Sequence, residues 1–171
     1  VVDIGGNVNV KEDALVQFAH LGSAYQKARG HANPRIALLN IGHEESKGNQ
    51  AHIEAFKALE EIEGFSGNIE ARDVFQGKVD VLVTDGFAGN IFLKTTEGLA
   101  VFIVEKMCGT RKDLPKELNY AEYPGALMCG VRKLVIKCHG YSSGLALFSG
   151  VRGALDLIKE KLIAKMEIAL S

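Results

Sequence analysis

Val79-Asp80-Val81-Leu82-Val83-Thr84-Asp85-Gly86-Phe87-Ala88-Gly89-Asn90 is the stretch that decides how this chain is built. A near-continuous apolar run stops at an acid, two glycines and an asparagine, and an apolar helical pattern follows. Unbroken apolarity, rather than alternation, suits a strand buried on both faces of a parallel sheet. Parallel strands are joined by crossovers that are usually helices, so this one segment already implies a layered α/β fold. The same pattern recurs upstream, where Arg35-Ile36-Ala37-Leu38-Leu39-Asn40-Ile41-Gly42 exits into His43-Glu44-Glu45-Ser46-Lys47-Gly48-Asn49.

Outward from these two runs, β-branched stretches at residues 1–4 and 134–138 read as further strands, with a weaker one at 64–70. Helical spacing covers residues 12–28, through Leu15, Phe18, Ala19 and Tyr25, and residues 50–62, through Ile53, Phe56, Ala58 and Leu59. A third helix is expected over 90–107, closing on Cys108-Gly109, and a long last one over 145–170, broken near Gly150 or Gly153. Alternation of strand and helix predicts right-handed βαβ crossovers and a three-layer α/β/α fold with a mostly parallel sheet. The polar stretch 110–125, with Pro115 and Pro124, crosses over before the last strand.

Length and composition narrow the function classes. At 171 residues the chain fits one α/β lobe over 1–171, and 47% apolar residues supply an ordinary globular core. A net charge of −1 and the lack of a basic stripe argue against nucleic-acid binding. Three unpaired cysteines, Cys108, Cys129 and Cys138, read as reduced thiols. No run approaches the roughly 20 apolar residues that span a bilayer. The opening Val1-Val2-Asp3-Ile4-Gly5-Gly6 lacks an initiator Met and a basic leader, and reads as a strand entering a loop. The chain is therefore expected to be a fragment or processed piece.

In open parallel sheets ligands sit at the carboxyl ends of the strands, so those four loops are where chemistry belongs. Asp3-Ile4-Gly5-Gly6-Asn7 offers glycines for close backbone approach and Asn7 to orient a polar ligand; it reads equally as a tight turn. Asn40 to Asn49 brings Ser46, Lys47, Gly48 and Asn49 to a helix start, where N–H groups and an ammonium together favour phosphate. Its spacing is not that of a Walker loop, and His43-Glu44 lacks the second histidine of a zinc site, so neither ATP nor a metal is implied.

In the loop after Thr84, Asn90 can cap the helix or donate to an anion, Asp85 can orient a lysine, and Lys94 follows one turn later. Lys94 also reads as a plain surface lysine. Cys138-His139-Gly140-Tyr141-Ser142-Ser143 ends the last strand. Ser142 can cap or bind phosphate, Cys138 reads as a core thiol, and His139 is the better candidate for proton chemistry.

Taken in order, these strings resemble the phosphate acyltransferase family of bacterial phospholipid synthesis, which makes acyl phosphate from acyl-acyl carrier protein. The resemblance rests on Leu39-Asn40-Ile41-Gly42 with Glu44 to Asn49, and on Asp85 to Asn90 with Leu93-Lys94-Thr95 and Glu97-Gly98. It extends to Asp3-Ile4-Gly5 with Asn7, to Leu15-Val16-Gln17-Phe18-Ala19, to Tyr120-Ala121-Glu122-Tyr123 with Gly125-Ala126, and to His139-Gly140. It covers the carboxyl-terminal half of the family; the Gly-Gly-Asp motif of the other half is absent here. His43 and Pro124 depart from the usual residues, Leu127 stands where Pro is common, and residues 101–118 are shorter than the family's helical insertion.

The resemblance implies an isopropylmalate-dehydrogenase-like, phosphotransacetylase-like fold and an acyltransferase that needs no cofactor. Its implied partners are acyl carrier protein and inorganic phosphate, in a cytoplasmic homodimer that touches the membrane peripherally. Lys47, Asn90, Asp85 and His139 would be catalytic. Asn7, Asn40, Ser46, Gly48, Asn49, Gly86, Gly89, Lys94 and Ser142 would bind substrate. Two other readings share the architecture: an acetyl- or butyryl-phosphate transferase using acyl-CoA, and a decarboxylating dehydrogenase, for which Asp80 and Asp85 lack the clustered spacing of a metal site. A non-catalytic binding lobe is the third.

Overall fold

Three parallel strands organise the chain: β1 (Ile36–Asn40), β2 (Phe65–Glu70) and β3 (Val81–Val83), in the order β2-β1-β3. The computed structural model describes residues 1–108, 125–138 and 143–171. Every residue of β1 is buried, as expected of a central strand covered on both faces. The expected first strand contributes a single parallel bridge, Val2 to Val83. Val2 N–H donates to the Leu82 carbonyl at 2.9 Å, and Thr84 N–H donates to that of Val2 at 2.8 Å.

Helix α1 (Glu12–Ala28) has the expected bounds, with Glu12 and Asp13 in its first turn and Lys27 in its last, each at the favourable end of the helix dipole. It joins α2 (Gln50–Leu59) on one face of the sheet. Leu15, Phe18 and Ala19 of α1 and Ala55 and Leu59 of α2 form one core with Ile36, Leu38, Val81 and Val83. Ala37, Leu39, Ile69 and Leu82 point to the opposite face, where Val74 and Phe92 pack on them. The sheet is thus sandwiched between helical layers, as the α/β/α reading requires. Fully burying one leucine contributes about 1.5–3 kcal/mol, so the residues shared between layers hold this architecture.

The residues divide into two units, Val1–Leu93 with Lys165–Ser171 and, separately, Lys94–Ala164. Helix α3 (Gly86–Cys108) runs from the first into the second, starting four residues earlier than its sequence pattern suggested. Its segment Gly86–Met107, 22 residues, is long and apolar enough to cross a membrane by length and composition, contrary to the expectation that no run would be.

In the second unit, β4 (Ala126–Leu127) pairs antiparallel with β5 (Ile136–Lys137). The expected last strand therefore forms a two-residue antiparallel ladder instead of extending the parallel sheet. Cys129 and Cys138 are free thiols. The long last helix is two helices, α4 (Gly144–Lys159) and α5 (Leu162–Leu170). They part at Lys161, whose φ of 55° is left-handed, and Gly150 and Gly153 stay inside α4. Along α4, Phe148, Val151, Leu155 and Ile158 are exposed at three- and four-residue intervals, a continuous apolar stripe.

Candidate active site

Because β1, β2 and β3 run parallel, the loops that follow them emerge at one edge of the sheet, and the loop after Val2 joins them beside β3. That loop is organised by the Asp3 carboxylate. It accepts the N–H of Gly5 at 3.0 Å, of Gly6 at 2.9 Å and of Asn7 at 2.5 Å, together with the Asn7 side-chain amide at 3.0 Å. Burial pushes the Asp3 carboxyl up. The N–H of Gly6, the Asn7 amide and the N–H groups of Asn7 and Ile4 outweigh it and hold the group below its ordinary range.

The curled loop then docks on the start of α3: Gly86 N–H donates to the Asn7 carbonyl at 2.8 Å, and Asp3 N–H donates to that of Thr84 at 2.9 Å. Gly89 permits this approach. A Cβ there would collide with the Asp3 carbonyl oxygen. Asp85 caps the helix, its Oδ1 accepting the Ala88 N–H at 2.8 Å. Asn90, expected as that cap, instead lies in the second turn with its side chain exposed.

The loop after β1 is closed by two buried amides. Asn40 Nδ2 donates to the Lys47 carbonyl at 2.9 Å and to Asn68 Oδ1 at 3.1 Å, while Asn68 Nδ2 donates to the Glu44 carbonyl at 2.8 Å. Gly48 passes under this pair at a φ of +97°, and a Cβ there would stand 2.8 Å from Asn40 Oδ1. Lys47 lies over the loop with Nζ 4.0 Å from Glu44 Oε1, its side chain 45% exposed. Asn49 caps α2: its Oδ1 accepts the His52 N–H at 3.0 Å and sits 2.8 Å from His52 Nδ1. Burial pushes His52 below its ordinary value, with the Asp85 charge pulling the other way, so the second and third loops act on each other electrostatically.

The first unit therefore brings together Asn7, Asn40, Ser46, Lys47, Gly48, Asn49, Asp85, Gly86, Gly89 and Asn90 on the carboxyl side of one sheet. Ser46, Lys47, Asn49, Asn7 and Asn90 are exposed there, whereas Asn40, Gly86 and Gly89 are buried. Lys94 belongs to the second unit and pairs with Glu97 at 2.7 Å. His139 and Ser142 lie outside the described residues. Sequence reasoning missed Asn68 and His52. Asn68 sits in a Ser-Gly-Asn run that reads as a turn, and its signal is an amide inside an otherwise pleated segment. His52 falls inside a helical pattern, where nothing but its place three residues after Asn49 marks it.

A parallel sheet sandwiched by helices, with polar loops feeding two helix starts at its carboxyl edge, defines the class of layered α/β proteins that hold ligands at that edge. Within it, the chain belongs to the fatty acid synthesis protein family, whose model matches residues 1–165. It is similar to the phosphate acyltransferase of Chlamydia felis, 44% identical over 176 residues that cover 100% of this chain and 55% of that protein. The phosphate acyltransferase of Chlamydia pneumoniae is 45% identical over 171 residues, 97% of this chain and 53% of that protein. That of Chlamydia trachomatis serovar A is 44% identical over 173 residues, 97% of this chain and 54% of that protein. The chain spans about half the length of the curated relatives it matches.

Proposed function

We propose that this chain carries the phosphate-handling part of a phosphate acyltransferase that forms acyl phosphate from acyl-acyl carrier protein and inorganic phosphate, in phospholipid synthesis. The observation that carries the reading is the loop of residues 41–49, which presents Lys47 and Asn49 at the capped start of α2. N–H groups at a helix N-terminus with an ammonium beside them suit a dianionic ligand.

In the reaction a phosphate oxygen attacks the thioester carbonyl carbon. A C–O bond forms, the C–S bond breaks, and the carrier leaves as a thiolate that takes up a proton. No protein nucleophile is required; the work is positioning and stabilisation of the oxyanion. Lys47 and Asn49 bind and orient phosphate, with Ser46 and Gly48 shaping the loop. Asn90 donates to phosphate or to the thioester oxygen. Asp85 sets the start of α3 and, by its charge, the orientation of nearby cations. Asn7 borders the same edge, and Asn40 keeps the loop closed. His139 and Ser142, adjacent in sequence to the last strand, are the acid and additional phosphate contact that the family resemblance supplies. A cytoplasmic homodimer resting on the membrane completes the reading, and the apolar stripe on α4 supports it.

The test is turnover in the intact protein. Lys47→Ala and Asn90→Ala should each lower phosphate-dependent loss of acyl carrier protein thioester by about a hundredfold, the scale of losing one oxyanion donor. Near-normal turnover in both variants would refute these roles. Turnover of acyl-CoA alone would favour the acetyl- or butyryl-transferase reading, reduction of a nicotinamide would favour the dehydrogenase, and neither activity would leave a binding lobe.

A further inference from the structure

The Asn49 side chain has two ends, and among the described residues only its oxygen is hydrogen-bonded to the protein. Asn49 Oδ1 accepts the His52 backbone N–H at 3.0 Å, which identifies that atom as the oxygen rather than the nitrogen of the amide. His52 Nδ1 lies 2.8 Å from the same oxygen. An amide oxygen offers only lone pairs, so the contact is a hydrogen bond only if Nδ1 carries the proton. The His52 ring is thereby fixed as the Nδ1–H tautomer, with Nε2 bare in the neutral form. Burial favours that neutral form, and Asp85 is the charged group that opposes it.

The geometry points to His52 as a positioning residue for the phosphate loop: its Nδ1–H locks the Asn49 amide with Oδ1 inward and Nδ2 outward, toward the anion. This rests on the phosphate reading of the 41–49 loop. A backbone cap alone leaves the amide held at one point, about which it swings. The second bond, from a ring carried on the same helix turn, removes that freedom before phosphate arrives. Preorganising a donor in this way improves affinity for the ground-state anion, so the effect falls on the phosphate KM.

Two substitutions separate this role from helix capping. In Asn at position 52, the side-chain NH2 overlays the imidazole Nδ1, so His52→Asn keeps the donor, while His52→Leu keeps bulk and removes it. In the intact protein, His52→Leu should raise the phosphate KM about tenfold, the loss of one hydrogen bond's worth of preorganisation, with kcat within about twofold. His52→Asn should recover most of that KM. A KM unchanged in His52→Leu, or His52→Asn as impaired as His52→Leu, would overturn the proposal.

The tautomer is checked apart from activity by 15N chemical shifts of the His52 ring in the wild-type protein, which should show a protonated Nδ1 and a bare Nε2. The opposite tautomer overturns the positioning role even if phosphate is the substrate. The expected tautomer in a protein whose wild type shows no phosphate-dependent turnover instead refutes the phosphate reading on which the role rests.

Discussion

Replacing Gly89 by Ala asks whether the contact between the first loop and the start of α3 holds the fold together. Gly89 is a helical residue, so alanine there gains about 0.8–1.0 kcal/mol of intrinsic helix propensity. Against that gain stands the collision of the new methyl with the Asp3 carbonyl oxygen, with Thr84 Cγ2 at 2.8 Å and the Asp3 carbonyl carbon at 3.1 Å behind it. These are backbone and a fully buried side chain, with no flexible end to swing aside. Overpacking of this kind costs about 1–3 kcal/mol, and more when backbone must move. The net expectation is a loss of about 1–2 kcal/mol or more, because the loop must lift off α3 and surrender the bonds from Gly86 to Asn7 and from Asp3 to Thr84.

Gly98 supplies the control on the same helix, since a Cβ there meets nothing within 4 Å. Gly98→Ala should stabilise by up to about 1 kcal/mol. Urea unfolding of wild type and both variants, followed by far-UV circular dichroism, gives the comparison. Opposite signs support the packing argument. A Gly89→Ala protein as stable as Gly98→Ala would refute it, because propensity alone would then account for both.

Two further outcomes follow from buried or charged contacts. Asn68→Ala removes the amide that ties Asn40 Nδ2 and the Glu44 carbonyl, and should cost about 1–3 kcal/mol in urea unfolding and raise the phosphate KM; unchanged values of both would show that the amide pair does not hold the loop. Asp80 is held down to about 2, first by the Arg35 guanidinium and then by the Arg35 N–H. Its folded-state value is depressed, so its stabilisation is complete above the ordinary value of 3.8 and is lost as pH falls from there toward 2. Asp80→Asn should therefore flatten the fall in urea midpoint over that window, and parallel curves for variant and wild type would remove Asp80 from the acid response.

Elements with long, consistent patterns were legible from sequence. Helix α1 kept its expected bounds because 17 residues of apolar spacing are flanked by acids at one end and Lys27 at the other. The start of α3 was not legible. Asn90 and Asp85 are both good caps, and Gly86 and Gly89 make the first turn look unlike a helix, although packing against Asp3 and Asn7 demands small residues there. The break after α4 was hidden for the converse reason. Gly150 and Gly153 are the natural suspects, yet the chain turns at Lys161, a residue with no intrinsic preference for that conformation. At the candidate site, the named residues of the first unit stand at one sheet edge because its parallel strands deliver their loops there, whereas Lys94 belongs to the second unit and His139 and Ser142 lie outside the described residues. The amide of Asn68 and the ring of His52 were not found, because their roles depend on which atoms meet across the loop rather than on residue type.

The motif that decides the fold also carries two kinds of residue that a sequence string cannot separate. Gly86 and Gly89 sit among the strongest points of the family resemblance, yet both face protein backbone: Gly86 donates to Asn7, and Gly89 leaves room for Asp3. Asp85 spends one carboxylate oxygen on Ala88. Asn90, in the same string, is exposed at the sheet edge. The 41–49 loop divides in the same way, with Asn40 buried beneath it and Lys47 and Asn49 exposed above. In both loops the buried members fix where the exposed members stand, and an exposed donor is worth more to an anion when its supports are rigid. Substitutions at the packed positions should then lower stability and activity together, whereas those at Lys47 and Asn90 should lower activity with stability within about 0.5 kcal/mol of wild type. That separation, seen in one set of urea and turnover measurements, would mark the exposed donors as the chemistry and the glycines as its frame.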